Sequence, residues 1–202
     1  MIQLYRHPMS GHSHKVELFL NILGENFELI NIDLKSKEQK SVDFLTLNFM
    51  GQVPVIKDEN FTLADSNAIL VYLAQKYDKT KTWFPESPEL QAEVVRFLSL
   101  SAGKLVMGPA MARTAIVFGA PINHEKAIMI SHELFEQLDQ FLEGKKWFVN
   151  DTPTLADLAM YTYLKHAPEG KVEIDKYLNV NKWFLSVESI PGFINMQSSG
   201  LK

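Results

Sequence analysis

Along the first 77 residues the apolar positions change period several times. Ile2 to Tyr5 is a short β-prone run. From Ser13 to Leu23, Val16, Phe19, Leu20 and Leu23 fall at i, i+3, i+4 and i+7, the spacing of one helix face. Gly24 stands where a helix C-terminal cap is expected, and Phe27 to Leu34 reads as a second strand. Strand, helix, strand is a βαβ unit, which pairs in parallel. A weaker helical stretch covers Lys37 to Leu47. Two short strands, Val53 to Ile56 and Phe61 to Ala64, flank the polar turn Lys57-Asp58-Glu59-Asn60 as a hairpin. Asp65-Ser66 then offers cap chemistry to a helix carrying Ile69, Leu70, Leu73 and Tyr77 on one face.

Residues 78 to 88 are polar, hold Pro85 and Pro88, and read as a linker. From 89 to 202 strand signals nearly vanish. Ser87 can cap a helix with Pro88 in its first position. That helix carries Leu90, Val94, Phe97, Leu98, Ala102 and Leu105, and Gly108-Pro109 is expected to break or kink it. Asn123 caps another, running to Gly144; Thr154 opens a third and Asp175 a fourth. The expectation is an α/β domain over 1–77, a linker over 78–88, and an all-helical domain over 89–202.

Composition narrows the chemistry. Hydrophobic residues make up 46% of the 202 and charged ones 22%, the balance of an ordinary globular chain rather than a disordered one. A net charge of −4 without a dense basic run argues against nucleic acid. Cysteine is absent, so thiol chemistry here needs a thiol brought by a ligand. The amino end has no signal-peptide pattern. Apolar stretches such as Val16 to Leu23, interrupted by Glu17 and Asn21, fall short of the ~20 residues of a membrane helix. The chain therefore reads as cytoplasmic, with no membrane partner.

Three constellations carry polar chemistry. His7, Ser10, His12, Ser13 and His14 crowd the turn between the first strand and first helix, where α/β sheets place ligands. His12 and His14, two residues apart, diverge on a helix, so the expectation is no metal. Ser10 and Ser13 can each cap the helix. In Gly51-Gln52-Val53-Pro54 the proline suits either an edge-strand turn or a cis bond beside a backbone free to pair with an extended peptide. Asp65-Ser66 can cap a helix and offer its N-terminus to a carboxylate.

Together these blocks resemble the cytosolic glutathione transferase family. His7-Pro8-Met9-Ser10 with Lys15-Val16 is similar to its serine-type classes, phi, delta, zeta and bacterial relatives. Phe44 to Val55 resembles its "FLxxNPxGQVPVL" block, Asp65 to Leu73 its "ESxAIxxYL", and Thr154-Leu155-Ala156-Asp157 its helical-domain capping box. Phe49 replaces a usual proline, and His12 stands where zeta-type enzymes carry a reactive cysteine, which argues against their isomerase activity.

The resemblance implies a thioredoxin-like domain followed by a helical one, a homodimer, and glutathione as co-substrate. By it, Ser10 donates to the glutathione sulfur, with His12 a further thiol-side contact. Val53, beside Gln52 and a cis Pro54, pairs with the cysteinyl moiety. Asp65 and Ser66 take the γ-glutamyl end, and Gln39 with Lys40 the glycine carboxylate. A hydrophobic electrophile is expected between the domains, on Met9, Met107, Met111 and Phe118 with Arg113 at the rim. The rival readings are peroxidase, reductase or dehalogenase chemistry on the same site, and a non-catalytic binding module.

Overall fold

A computed structural model describes residues 1–201, which divide into two compact units: 1–79 with 191–197, and 80–190 with 198–201.

In the first unit, β1 (Ile2–Arg6) is followed by α1 (Gly11–Leu23), β2 (Phe27–Asn31), α2 (Val42–Leu47), β3 (Val55–Asp58), β4 (Phe61–Ala64) and α3 (Ser66–Tyr77). The sheet order is β2-β1-β3-β4. β1 and β2 run parallel with Leu4 opposite Leu29, whereas β3 is antiparallel to both neighbours, Ile56 facing Leu4 and Leu63. Ile2, Leu4, Val16, Phe19, Leu20, Ile56, Ile69, Leu70 and Leu73 form its buried core. Ile32, Phe44 and Val55 make a smaller cluster with Tyr5 packed against it.

Local chemistry moves several expected boundaries. The stretch 37–47 is a single 3₁₀ turn over Glu38–Lys40 and then α2, restarted by Ser41, whose hydroxyl accepts the Phe44 N–H at 3.2 Å. β3 begins at Val55, not Val53, and β2 stops at Asn31 rather than Leu34. Residues 191–197 do not continue the helical unit but lie along α1. His14 Nε2 donates there to the Ile194 carbonyl at 3.0 Å. Gly192, at φ +84, runs so close to α1 that an added Cβ would stand 2.9 Å from the Asn21 carbonyl oxygen.

The second unit holds α4 (Pro88–Ala102), α5 (Met111–Phe118), α6 (His124–Phe141), α7 (Leu155–Lys165) and α8 (Leu178–Glu188). Gly103 ends α4 before the expected Gly108-Pro109 break, and a π-type turn over Val106–Ala110 absorbs Pro109. Helix α8 starts at Leu178, not near Asp175, because Asp139 Oδ1 accepts the N–H groups of Asn179 and Val180 at 2.7 and 3.0 Å. The joined run 88–118 is long and apolar enough by composition to cross a membrane, contrary to the sequence expectation. Its Val94, Phe97, Leu98 and Ala112 are buried in the helical core. Phe148 anchors that core, its ring 4.6 Å from Phe97 and 4.7 Å from Trp183.

Candidate active site

The first unit carries a cleft of about 410 Å³ lined by His12, Asn48, Phe49, Met50, Gln52, Val53, Pro54, Ala64, Asp65 and Ser66. Segments up to 54 positions apart thus converge on one hollow, next to the first turns of α1 and α3.

At α1 the chain leaves β1 through a tight turn in which the Ser10 N–H donates to the His7 carbonyl at 3.0 Å. Ser10 is the N-cap: its Oγ accepts the Ser13 N–H at 3.2 Å. One lone pair is used by the helix, and the O–H hydrogen is left to donate outward. Ser13 is fully buried, and its Oγ accepts the His7 N–H at 3.4 Å. The structure thus gives both hydroxyls backbone work but leaves only Ser10 partly accessible. Ser10 itself lies outside the cleft lining, two residues before His12.

His12 is drawn to the other side of the site. Its Nδ1 shares a 3.3 Å hydrogen bond with Ser66 Oγ, so the residue expected near sulfur is tied to the first residue of α3. Burial, and then the nearby Lys15 charge, push its imidazole well below its usual range, to about 3, so the ring is neutral at physiological pH. His7 Nδ1 accepts the Met9 N–H, and His14 holds the 191–197 segment. Each of the three histidines therefore serves a different local partner.

The α3 N-terminus is prepared for an anion. Asp65, at φ +72, accepts the N–H groups of Asn67 and Ala68 at 2.9 and 3.0 Å through Oδ1. Ser66 behind it is 5% exposed. A helix start offers unpaired N–H groups and positive potential, the combination a carboxylate seeks.

Across the cleft, Asn48 shapes the loop before β3. Its Nδ2 donates to the Gln52 carbonyl at 2.8 Å and its Oδ1 accepts the Met50 N–H at 3.1 Å. The Val53-Pro54 bond is cis. The β3 ladder begins at Val55, so the Val53 backbone sits on the cleft wall outside the sheet register. Gly51 has φ +59, and an added Cβ would stand 2.6 Å from the Gln39 carbonyl oxygen, so glycine alone fits. Lys40 Nζ donates to the Met50 carbonyl at 2.9 Å, which brings it to this loop although neither it nor Gln39 lines the cleft. Gln39 Oε1 is buried without a hydrogen-bond partner.

In the helical unit, Met107, Met111 and Phe118 are 49%, 37% and 44% exposed. Arg113 departs from expectation. It is 1% exposed, its Nε and Nη2 each 3.0 Å from Glu169 Oε2, and His166 Nδ1 lies 2.7 Å from Glu169 Oε1. A guanidinium taken this far from water is stable only when paired, and that pairing makes it a brace inside the unit rather than a rim group. Sequence reasoning gave no site role to Lys15, Asn48 or Asn67. For Lys15 a signal existed: it stands four residues before Phe19, on the core face of the helix.

Comparison with known proteins fits this geometry. Residues 1–75 match the glutathione S-transferase N-terminal domain family, and residues 122–191 the glutathione S-transferase C-terminal domain family. A delta-class glutathione transferase from Nilaparvata lugens is 31% identical, with a TM-score of 0.86 over 95% of this chain and 91% of its own. A glutathione S-transferase from Pseudomonas fluorescens is 25% identical, with a TM-score of 0.89 over 98% and 99%. A glutathione transferase homolog from Lodderomyces elongisporus, solved with two GSH per subunit, is 25% identical, with a TM-score of 0.86 over 95% and 94%.

Proposed function

Since this chain belongs to the glutathione S-transferase family, and is a glutathione-using transferase on that ground, we propose that its cleft binds glutathione in one orientation and delivers it as thiolate to a small electrophile. The observation carrying this reading is the convergence of the Val53 backbone with Asp65 and Ser66 on one hollow. An extended tripeptide presents backbone groups in its middle and a carboxylate at each end. The Val53 wall suits the middle, the α3 start the γ-glutamyl end, and Lys40 the glycine end. Sulfur then falls toward the α1 N-terminus, where Ser10 donates to it.

Ser66→Ala tests the orientation. It removes a donor to the γ-glutamyl carboxylate, a charge-assisted bond of roughly 1.5–3 kcal/mol, so the glutathione KM is expected to rise about tenfold or more. The thiol pKa of bound glutathione stays nearly constant, because this end is remote from sulfur. A shifted thiol pKa with unchanged KM contradicts the orientation. Failure of the unaltered protein to be retained on immobilised glutathione would favour a non-catalytic module instead.

The electrophile is assigned by this reading to the exposed apolar side chains Met107, Met111 and Phe118 of the helical unit. A panel of aryl, alkyl and peroxide substrates separates conjugation from peroxidase or reductase chemistry. We also read the enzyme as a homodimer, which light scattering checks by a mass twice that of the chain.

A further inference from the structure

Under the start of α3 lies a cation that none of these roles uses. Lys15, in α1, is 3% exposed. Its Nζ donates to Asn67 Oδ1 at 2.6 Å. Asn67 in turn gives its N–H to Asp65 Oδ1 at 2.9 Å, so the ammonium is one residue removed from the cap that lines the cleft. An ammonium has three donors, and among the described residues no carboxylate makes a direct ion pair with this one. Buried cations are normally paired, because leaving water is costly for a charge.

The surroundings are simple. Asp65, on the α3 cap, is the anion that favours the charged form, and His12, on α1, is the nearby imidazole. The other ionisable groups of α3, Tyr72, Lys76 and Tyr77, are engaged with Asp58. From β1, Arg6 pairs with Glu17 of α1 at 3.3 Å, and Tyr5 packs against Phe44. His14 of α1 holds Ile194, and the segment 191–197 carries no ionisable side chain.

We propose that Lys15 is a positioning residue for glutathione: through Asn67 it steadies the α3 N-terminus, and it takes up a proton from solvent as the γ-glutamyl carboxylate docks there. The proposal rests on the cleft reading above. Burial has lowered the Lys15 ammonium to about 7, against the opposing pull of Asp65. Neutral and charged forms therefore coexist near neutrality. A carboxylate arriving at Ser66 adds negative charge in a poorly solvated place and favours the charged form. By linkage, the ligand binds tighter where Lys15 is already protonated, so affinity falls as pH rises through about 7. His12, neutral throughout this range, does not contribute.

The test is calorimetric titration with S-methylglutathione, whose thioether removes thiol ionisation. For the unaltered enzyme, Kd is expected to rise about three- to tenfold between about pH 6 and about pH 8. Near neutrality the binding enthalpy should also differ between phosphate and Tris, two buffers of contrasting ionisation enthalpy, in the sense of proton uptake. Lys15→Met, similar in length and uncharged, should bind more weakly at the lower pH and lose both signatures. Lys15→Arg, charged throughout, should bind without proton uptake. If the unaltered enzyme binds with a flat pH profile and buffer-independent enthalpy, the proposal is overturned while the cleft reading stands. Proton uptake that persists in Lys15→Met also overturns it. Should Lys15→Met fail to fold, the two-buffer measurement on the unaltered enzyme decides alone. Absence of any binding by the unaltered enzyme would sink the cleft reading itself.

Discussion

Ser10→Ala is expected to lower kcat/KM by one to three orders of magnitude, the effect of losing one anion-stabilising donor worth about 1.4–4 kcal/mol. A free thiol with a pKa near ~8.5 is only a few per cent thiolate at neutrality, and the thiolate is the nucleophile. Ser10 Oγ accepts the Ser13 N–H, which fixes the side chain and leaves its hydrogen for the sulfur in the proposed orientation. The same position at the α1 start adds positive potential from the helix. Lowering the thiol pKa by about two units takes roughly 2.7 kcal/mol, which one charge-assisted bond and a helix terminus together can supply. The thiolate ultraviolet band of bound glutathione, followed against pH, should therefore move to higher pH in Ser10→Ala.

Because Ser10 is also the N-cap, the variant should lose about 0.5–2 kcal/mol of stability as well. Ser13→Ala separates the two effects. Its buried hydroxyl serves the His7 N–H, so the variant should lose about 1–2 kcal/mol of stability while keeping the thiolate band. If Ser13→Ala removes the band and Ser10→Ala keeps it, the two roles are exchanged. If both keep it, a backbone N–H at the α1 start activates the thiol.

Much of the first unit was legible because its signals are local. Apolar spacing located α1 and α3, Pro54 marked the special turn before β3, and Asp65 announced the helix it caps, as Asn123 did in the second unit. What was not legible depended on partners distant in sequence. Arg113 looked like a rim residue until Glu169, 56 positions away, took its guanidinium. His12 looked like a neighbour of sulfur until Ser66, 54 positions away, reached its Nδ1. Residues 191–197 lack any periodic signal that would assign them to α1, and only the contacts of Gly192 and Ile194 place them there. Gly103 ended α4 early because the glycine adopts φ −102 and ψ −98, outside helical space, whereas the following proline only reshaped a turn.

Asp157→Ala carries the largest expected effect on stability. Asp157 is fully buried in the first turn of α7, and both oxygens are occupied. Oδ2 accepts the Thr154 N–H at 2.9 Å, closing the capping box. Oδ1 accepts the Phe148 N–H at 3.2 Å and the Trp183 indole N–H at 2.9 Å, tying α7 to α8 and to the segment after α6. Truncation strands three buried N–H donors at once, each costing about 1–3 kcal/mol. Some relaxation will occur, so a loss of about 3–5 kcal/mol is expected, or roughly 6–20 °C in Tm for a chain of this size. Trp183→Phe, which leaves the capping box intact, should cost less. Burial pushes the Asp157 carboxyl up to about 6 against the pull of its donors. Its folded pKa thus lies above the unfolded value of about 3.9, so its contribution is full below that value and diminishes as pH rises through 6. Asp157→Asn cannot titrate, so the stability gap between it and the unaltered protein should be widest near pH ~4 and narrow by roughly 2–3 kcal/mol by pH ~7.5. Urea unfolding at both pH values measures this gap. A gap that widens with pH would mean that the donors of Thr154, Phe148 and Trp183 outweigh burial and hold the carboxylate ionised.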